Sequence, residues 1–158
     1  MEEIEAYRED LLSALKEVGS ELSKIVAGKP SSAWHLLFGQ DSQTLHYTLA
    51  HLRALEAQLF AIQLRRITDE ETPLVPVFDD DAWMTNHYRS EEPALIIMED
   101  FVNLRKQELN WLHNLQSAAW SRTARHPWWG VHTLQWWVEL QLDYSNQHLE
   151  ELSPILDM

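Results

Sequence analysis

The 158-residue chain has no cysteine, which excludes disulfides, thiolate nucleophiles and cysteine-ligated zinc. Only 4 glycines and 6 prolines occur, too few for the many tight turns of a sheet-rich fold, so helices are favoured. Basic residues are scarce: 12 Lys and Arg face 25 Asp and Glu, for a formal net charge of -13. Phosphate binding relies on cations that displace counterions, so this balance argues against a nucleic-acid partner. It equally disfavours an anionic membrane surface. No apolar run approaches the roughly 20 residues that span a bilayer. The opening stretch "MEEIEAYRED" is acidic and amphipathic, unlike a secretory signal, and a soluble, cytoplasmic protein is expected. The chain also lacks a nucleophile-elbow serine, a phosphate-binding loop, a dinucleotide glycine fingerprint and H-E-x-x-H. It has none of the paired Glu-x-x-His segments of di-iron bundles.

What remains is 45% hydrophobic residues, enough for one folded domain over 1–158 with a single core. Four segments carry helical periodicity. Ile4, Tyr7, Leu11, Leu15, Val18, Leu22 and Ile25 recur at threes and fours in the first. The second follows an expected N-cap pair, Asp41-Ser42, and runs to about Ile67 with Leu45, Leu49, Leu52, Leu55, Leu59 and Ile62 on its stripe. The third starts around "SEEPALIIMEDF", with its acids and proline expected in the first turn and Ile97, Phe101, Leu104, Trp111 and Leu115 inward. The fourth is expected from about Gly130 to Leu152, with Leu134, Trp137, Leu140 and Tyr144 at matching intervals. A connection of roughly 23 residues, "TDEETPLVPVFDDDAWMTNHYR", separates the second and third and is long for a bundle. The expected fold is an all-α four-helix bundle.

Chemistry, if any, falls to the histidines. His46 and His51 share the second helix but diverge by about 140° at 100° per residue, so they cannot serve one site. His51 lies on or beside the buried face, and His46 is expected to face solvent. On the fourth helix, Tyr144 and His148 are four apart and point inward with Trp137 and Leu140. Antiparallel second and fourth helices would bring His51, Tyr144 and His148 to nearly one level, whereas parallel helices would separate the histidines by roughly 10 Å. The antiparallel case demands an up-down-down-up chain, whose second-to-third link crosses the whole bundle. The long connection suits that demand.

The stretches "TLAHLRALEAQLFAIQLRRI", "FVNLRKQELNWLHNLQSAAWSRTARHPWWGVHTL" and "DYSNQHLEEL" resemble the DinB-like superfamily of four-helix metalloproteins, in order, from residue 4 to about 155. The resemblance implies the up-down-down-up bundle and a divalent metal, zinc or nickel, held by one His on the second helix and an H-x-x-x-H pair on the fourth. Residue by residue, His51 matches the first ligand and His148 the last, while the middle position is Tyr144. A phenol has a reference pKa near 10 and binds poorly unless it is ionised, so Tyr144 either ligates under the cation's influence or serves as a catalytic proton donor. His35 and His87, at the same end of the bundle, are further candidates for the missing ligand.

Bland alternatives stand beside these. His51 and His148 can be inward polar groups hydrogen-bonded to one another or to Tyr144. Glu56, Arg65 and Arg105 are expected as ion pairs between the second and third helices, or as solvated charge in the case of Arg65. Trp120, Trp128, Trp129, Trp136 and Trp137 read as core and end-plug packing more readily than as a ligand platform. "FDDDAW" reads as a helix cap rather than a cation site. Two functions remain open. The resemblance implies a metal-dependent enzyme acting on a small molecule, with thiol-linked transfer among the family's reactions. The alternative is a non-catalytic bundle that binds a small apolar ligand or a partner protein. The resemblance also implies a homodimer.

Overall fold

The computed structural model describes residues 2–38 and 43–152. Leucine and isoleucine at threes and fours wind the first segment into helix α1, Glu2–Ala27, whose Leu11, Leu15, Val18, Leu22 and Ile25 are buried. Ile4 and Tyr7 continue the stripe but are exposed. Helix α2 comprises α-helical Leu45–Ala54, a π-helical stretch Leu55–Ala61 and α-helical Ile62–Asp69. Asp41-Ser42 lie outside the described residues; the cap in place is Thr44, whose hydroxyl accepts from the Tyr47 amide at 3.0 Å.

The π-helical stretch corrects the expected stripe. Widening the turn rotates everything beyond it, so Ile62 is 46% exposed while Phe60, Leu64 and Ile67 are buried. Helix α4, Ala94–His113, differs in another way: Glu91 and Glu92 precede it instead of occupying its first turn. Its buried face is Ile97, Met98, Phe101, Arg105, Glu108 and Leu112, with Leu104 and Trp111 only half-buried. Helix α5, Leu134–Leu152, starts four residues later than expected. Gly130–Thr133 is instead strand β4, paired antiparallel with β3, Thr123–His126. Gly130 closes their turn at φ 83°, a left-handed conformation that a side chain would strain. A smaller hairpin, β1 Leu37–Phe38 with β2 Gln43–Thr44, precedes α2.

Two apolar clusters divide the core by level. At one end, Val18, Leu22 and Ile25 from late α1 meet Leu45 and Leu49 from early α2, Ile97 and Phe101 from early α4, and Leu152 from late α5. At the other, Leu11 and Leu15 meet Leu59, Leu64 and Ile67, Leu112, Leu134 and Trp137. Helices α1 and α5 therefore run one way, and α2 and α4 the other. The chain between α2 and α4 returns along the length of the bundle. It is fastened at the start by Val75, whose amide donates to Arg125 O at 2.8 Å, and at the end by Tyr88 against His46. Midway it forms helix α3, Asp80–His87, capped by Asp79 Oδ1, which accepts from the Ala82 amide at 3.0 Å.

The tryptophans mostly plug the second cluster: Trp120 and Trp137 are buried, and Trp129 and Trp136 pack against them. Trp128, at the hairpin tip, is 74% exposed and does not belong to that packing.

Candidate functional site

The helix directions bring an early turn of α2 opposite a late turn of α5. The rings of His51 and His148 lie 5.4 Å apart between centroids, inclined at 70°. His148 is 6% exposed, and its Nδ1 lies 2.8 Å from the Tyr144 carbonyl. A carbonyl accepts only, so Nδ1 carries the proton and Nε2 keeps its lone pair. A main-chain carbonyl fixing one ring nitrogen is the usual support for a metal-binding imidazole. Burial holds the His148 pKa below its ordinary value, with His51 acting the same way, against opposing contributions from the Tyr144 carbonyl, Glu151 and Asp80. The ring is thereby kept neutral.

The third group comes from the crossover. His51 Nε2 donates to Asp80 Oδ2 at 2.7 Å. The run of three aspartates explains this. Asp79 alone caps α3, which leaves Asp80, one residue on, free to turn toward α2. The capping reading of "FDDDAW" thus holds for one residue and misses its neighbour. A surplus acid beyond the one a cap requires was the available signal.

Tyr144 is half-buried, its ring 5.9 Å from that of Phe60. Burial, then the Asp80 charge, push its phenol above the ordinary value, so it retains its proton. Tyr47 borders the same space, 6.4 Å from His51 between ring centroids, and its phenol is raised by burial and by Asp81 and Asp80.

The other histidines are elsewhere. His46, expected to face solvent, is 1% exposed. Its Nε2 donates to Glu92 O at 2.7 Å and its Nδ1 accepts from Tyr88 Oη at 2.9 Å, so the end of the crossover covers it and satisfies both nitrogens. His35 stacks on His46 at 4.7 Å, and His87 stacks on Trp83 at 3.7 Å with Nδ1 donating to Trp83 O. These contacts tie both rings to partners other than His51 and His148.

One level away lies a buried polar layer. Arg105 donates to both oxygens of Glu56 at 2.8 and 2.9 Å, to Leu15 O at 2.8 Å and to Ser145 Oγ at 2.8 Å. Gln141 Nε2 donates to Glu56 Oε1 at 2.8 Å. The expected Glu56–Arg105 pair is present, whereas Arg65 is half-exposed and lies 3.6 Å from Glu108. Glu108, Gln141 and Ser145 were not anticipated, because charged and amide side chains on a helix are ordinarily counted toward its solvent face.

Two imidazoles and a carboxylate are a donor set suited to a divalent cation. As they stand, no group of three His, Cys, Asp or Glu among the described residues is arranged to hold one. His51 and Asp80 are hydrogen-bonded at 2.7 Å, closer than two ligands around one ion, about 2 Å from each, sit to one another. The donors fit in kind, and loading requires that hydrogen bond to open.

No family model matches the chain, and no curated protein matches it. Among solved structures it is similar to YfiT from Bacillus subtilis, described as "a probable metal-dependent hydrolase with an unusual four-helix bundle topology". The two share 19% identity with a TM-score of 0.82, over 94% of this chain and 85% of that one. At that identity the likeness is one of fold. The chain is an all-α, four-helix bundle similar in fold to that structure, and among the described residues no helix is long and apolar enough to cross a membrane.

Proposed function

We propose that the protein is a divalent-metal-dependent enzyme acting on a small molecule, with the metal, zinc or nickel, held by His51, His148 and Asp80. The supporting observation is the convergence of two imidazoles and one carboxylate from three separate elements, with the His148 tautomer fixed so that Nε2 keeps its lone pair. The description of YfiT as a probable metal-dependent hydrolase points to the same chemistry. A bound cation would supply Lewis acidity, easing deprotonation of a water or of a low-molecular-weight thiol. Water as nucleophile gives hydrolysis; a thiol gives thiol-linked transfer.

The chain's own residues do the rest. Tyr144 keeps its proton and donates a hydrogen bond to substrate or to a leaving group, a catalytic role that its raised pKa favours over ligation as a phenolate. Asp80 takes the third position that the resemblance assigns to the residue at 144. Tyr47 walls the space on the α2 side.

The test is elemental analysis of untagged protein, with zinc and nickel titrations of the parent and of His51→Ala, His148→Ala, Asp80→Asn and Tyr144→Phe. One equivalent in the parent and Tyr144→Phe, lost in the other three, supports the assignment. Retention in Asp80→Asn with loss in Tyr144→Phe moves the third ligand to Tyr144.

The second reading is a non-catalytic bundle, which the satisfied His51–Asp80 hydrogen bond favours. A parent that carries no metal and ignores micromolar zinc and nickel establishes it. A homodimer is also proposed, on the exposed Trp128 and Val131 of the hairpin, and sedimentation of the parent against Trp128→Ser tests it.

A further inference from the structure

The chain has only four lysines, and three of them, Lys16, Lys24 and Lys106, line one furrow of about 870 Å³ between α1 and α4. Chance placement on a surface with twice as many acids as bases would pair them with carboxylates. None of the three side chains has an ion-pair or hydrogen-bond partner among the described residues. Lys16 has Leu12, Ser13, Gly19 and Ser20 at its helical neighbour positions, and Lys106 has Val102, Asn103, Leu109 and Asn110, so neither has an acid one turn away. Asp10, Glu17 and Glu21 project about 100–140° around α1 from Lys16, onto another face. The acid that lines the furrow is Glu9, toward the end where His113 sits.

Arg105 sets the level of the two walls. Its guanidinium donates to Leu15 O at 2.8 Å, and its Cγ lies 3.6 Å from where a Gly19 Cβ would stand. Lys16 and Lys106, the next residues along each helix, therefore flank the furrow at one height. Between them α1 offers small or short residues, which recesses its wall, while Phe101, Val102, Leu12 and Leu109 supply an apolar lining. An apolar trough with two uncompensated ammonium groups at one level matches a molecule with a single negative head and an apolar tail. A second copy of this chain would bring the same lysines against each other across a symmetric contact, which disfavours that occupant.

We propose that the α1–α4 furrow binds a single-chain anionic amphiphile, a fatty carboxylate, with its head between Lys16 and Lys106 and its tail along Leu12 and Leu109, one turn away on the same side of that level. The site is separate from His51 and His148 and takes its ligand whether or not they hold a metal.

The experiment is calorimetric titration of the full chain with dodecanoate below its micelle threshold, beside dodecyltrimethylammonium, which has the same tail and the opposite charge. Expected are saturable one-to-one binding of dodecanoate, binding of the cation weaker by about tenfold or more, and dodecanoate binding about tenfold weaker in Lys16→Gln/Lys106→Gln with an unchanged melting temperature. Amide shift changes in the parent should concentrate on α1 and α4. The proposal is overturned by absence of saturable binding, by equal binding of the two amphiphiles, by full affinity in the double variant, or by shifts confined to other elements. Preference for an acidic helical peptide over dodecanoate would likewise overturn it. Metal uptake enters none of these readouts, so failure here and failure of the metal assignment are distinguishable.

Discussion

Glu108→Gln should make the protein more stable in neutral and alkaline solution while changing little in acid. The Glu108 side chain is 2% exposed, its Oε1 has no hydrogen-bond partner among the described residues, and Arg65 stands 3.6 Å away. Burial, partly offset by Arg65 and reinforced by Glu56, pushes its carboxyl from the ordinary 4.5 to about 7. Between those two pH values the unfolded chain has released this proton and the folded chain still holds it. The folded state then binds more protons, so stability falls as pH rises through the window and levels off above it. A tenfold change in proton affinity is about 1.4 kcal/mol, so the loss attributable to Glu108 is about 3 kcal/mol by pH 8. Glutamine has the same shape and no charge to desolvate; it forgoes an ion pair to a half-exposed Arg65 worth at most about 1 kcal/mol. Urea unfolding of parent and variant at intervals from pH 4.5 to 8, followed by tryptophan fluorescence, gives the difference directly, and contributions common to both cancel. A gain that grows to about 2–3 kcal/mol across that range is expected. A difference that is flat with pH would refute the account.

Three further perturbations probe the frame around the site. Arg105→Met strands the Glu56 carboxylate in the interior and should cost about 3–5 kcal/mol, with part recovered when Glu56→Leu is added; urea unfolding of the double-mutant cycle measures it. Thr44→Ala removes the cap of α2 and should cost about 1 kcal/mol, read as a lowered melting temperature. Ile62→Ser should change stability by less than about 0.5 kcal/mol, whereas Leu64→Ala should cost about 2–5 kcal/mol, because the π-helical turn moves the former out and the latter in. Equal effects at the two positions in chemical unfolding would contradict that phase shift.

The sequence by itself determined the number and kind of the main elements. Leu11, Leu15 and Leu22, or Leu45, Leu49 and Leu52, repeat at helical spacing, and that repeat reports the direction of each side chain about its own helix axis. The same local rule pointed His148 inward and put His51 at the edge of the core, and the long connection made a crossover feasible. It failed wherever the deciding contact belonged to another element. His46 is buried because the end of the crossover lies over it, and no pattern within α2 records that. Arg105 and Glu108 sit on the inner face of α4 because Glu56, Ser145 and Arg65 meet them there, so counting only apolar residues displaced that face toward Leu104 and Trp111. The start of α5 lies four residues beyond where helical periodicity places it, because strand pairing with Thr123–His126 competes for Gly130–Thr133. Asp80 reaches His51 from 29 residues away only through the return path of the crossover. Helical periodicity is a property of adjacent turns, whereas a site built from α2, α3 and α5 is a property of how those helices cross, and that is decided only when the chain is folded.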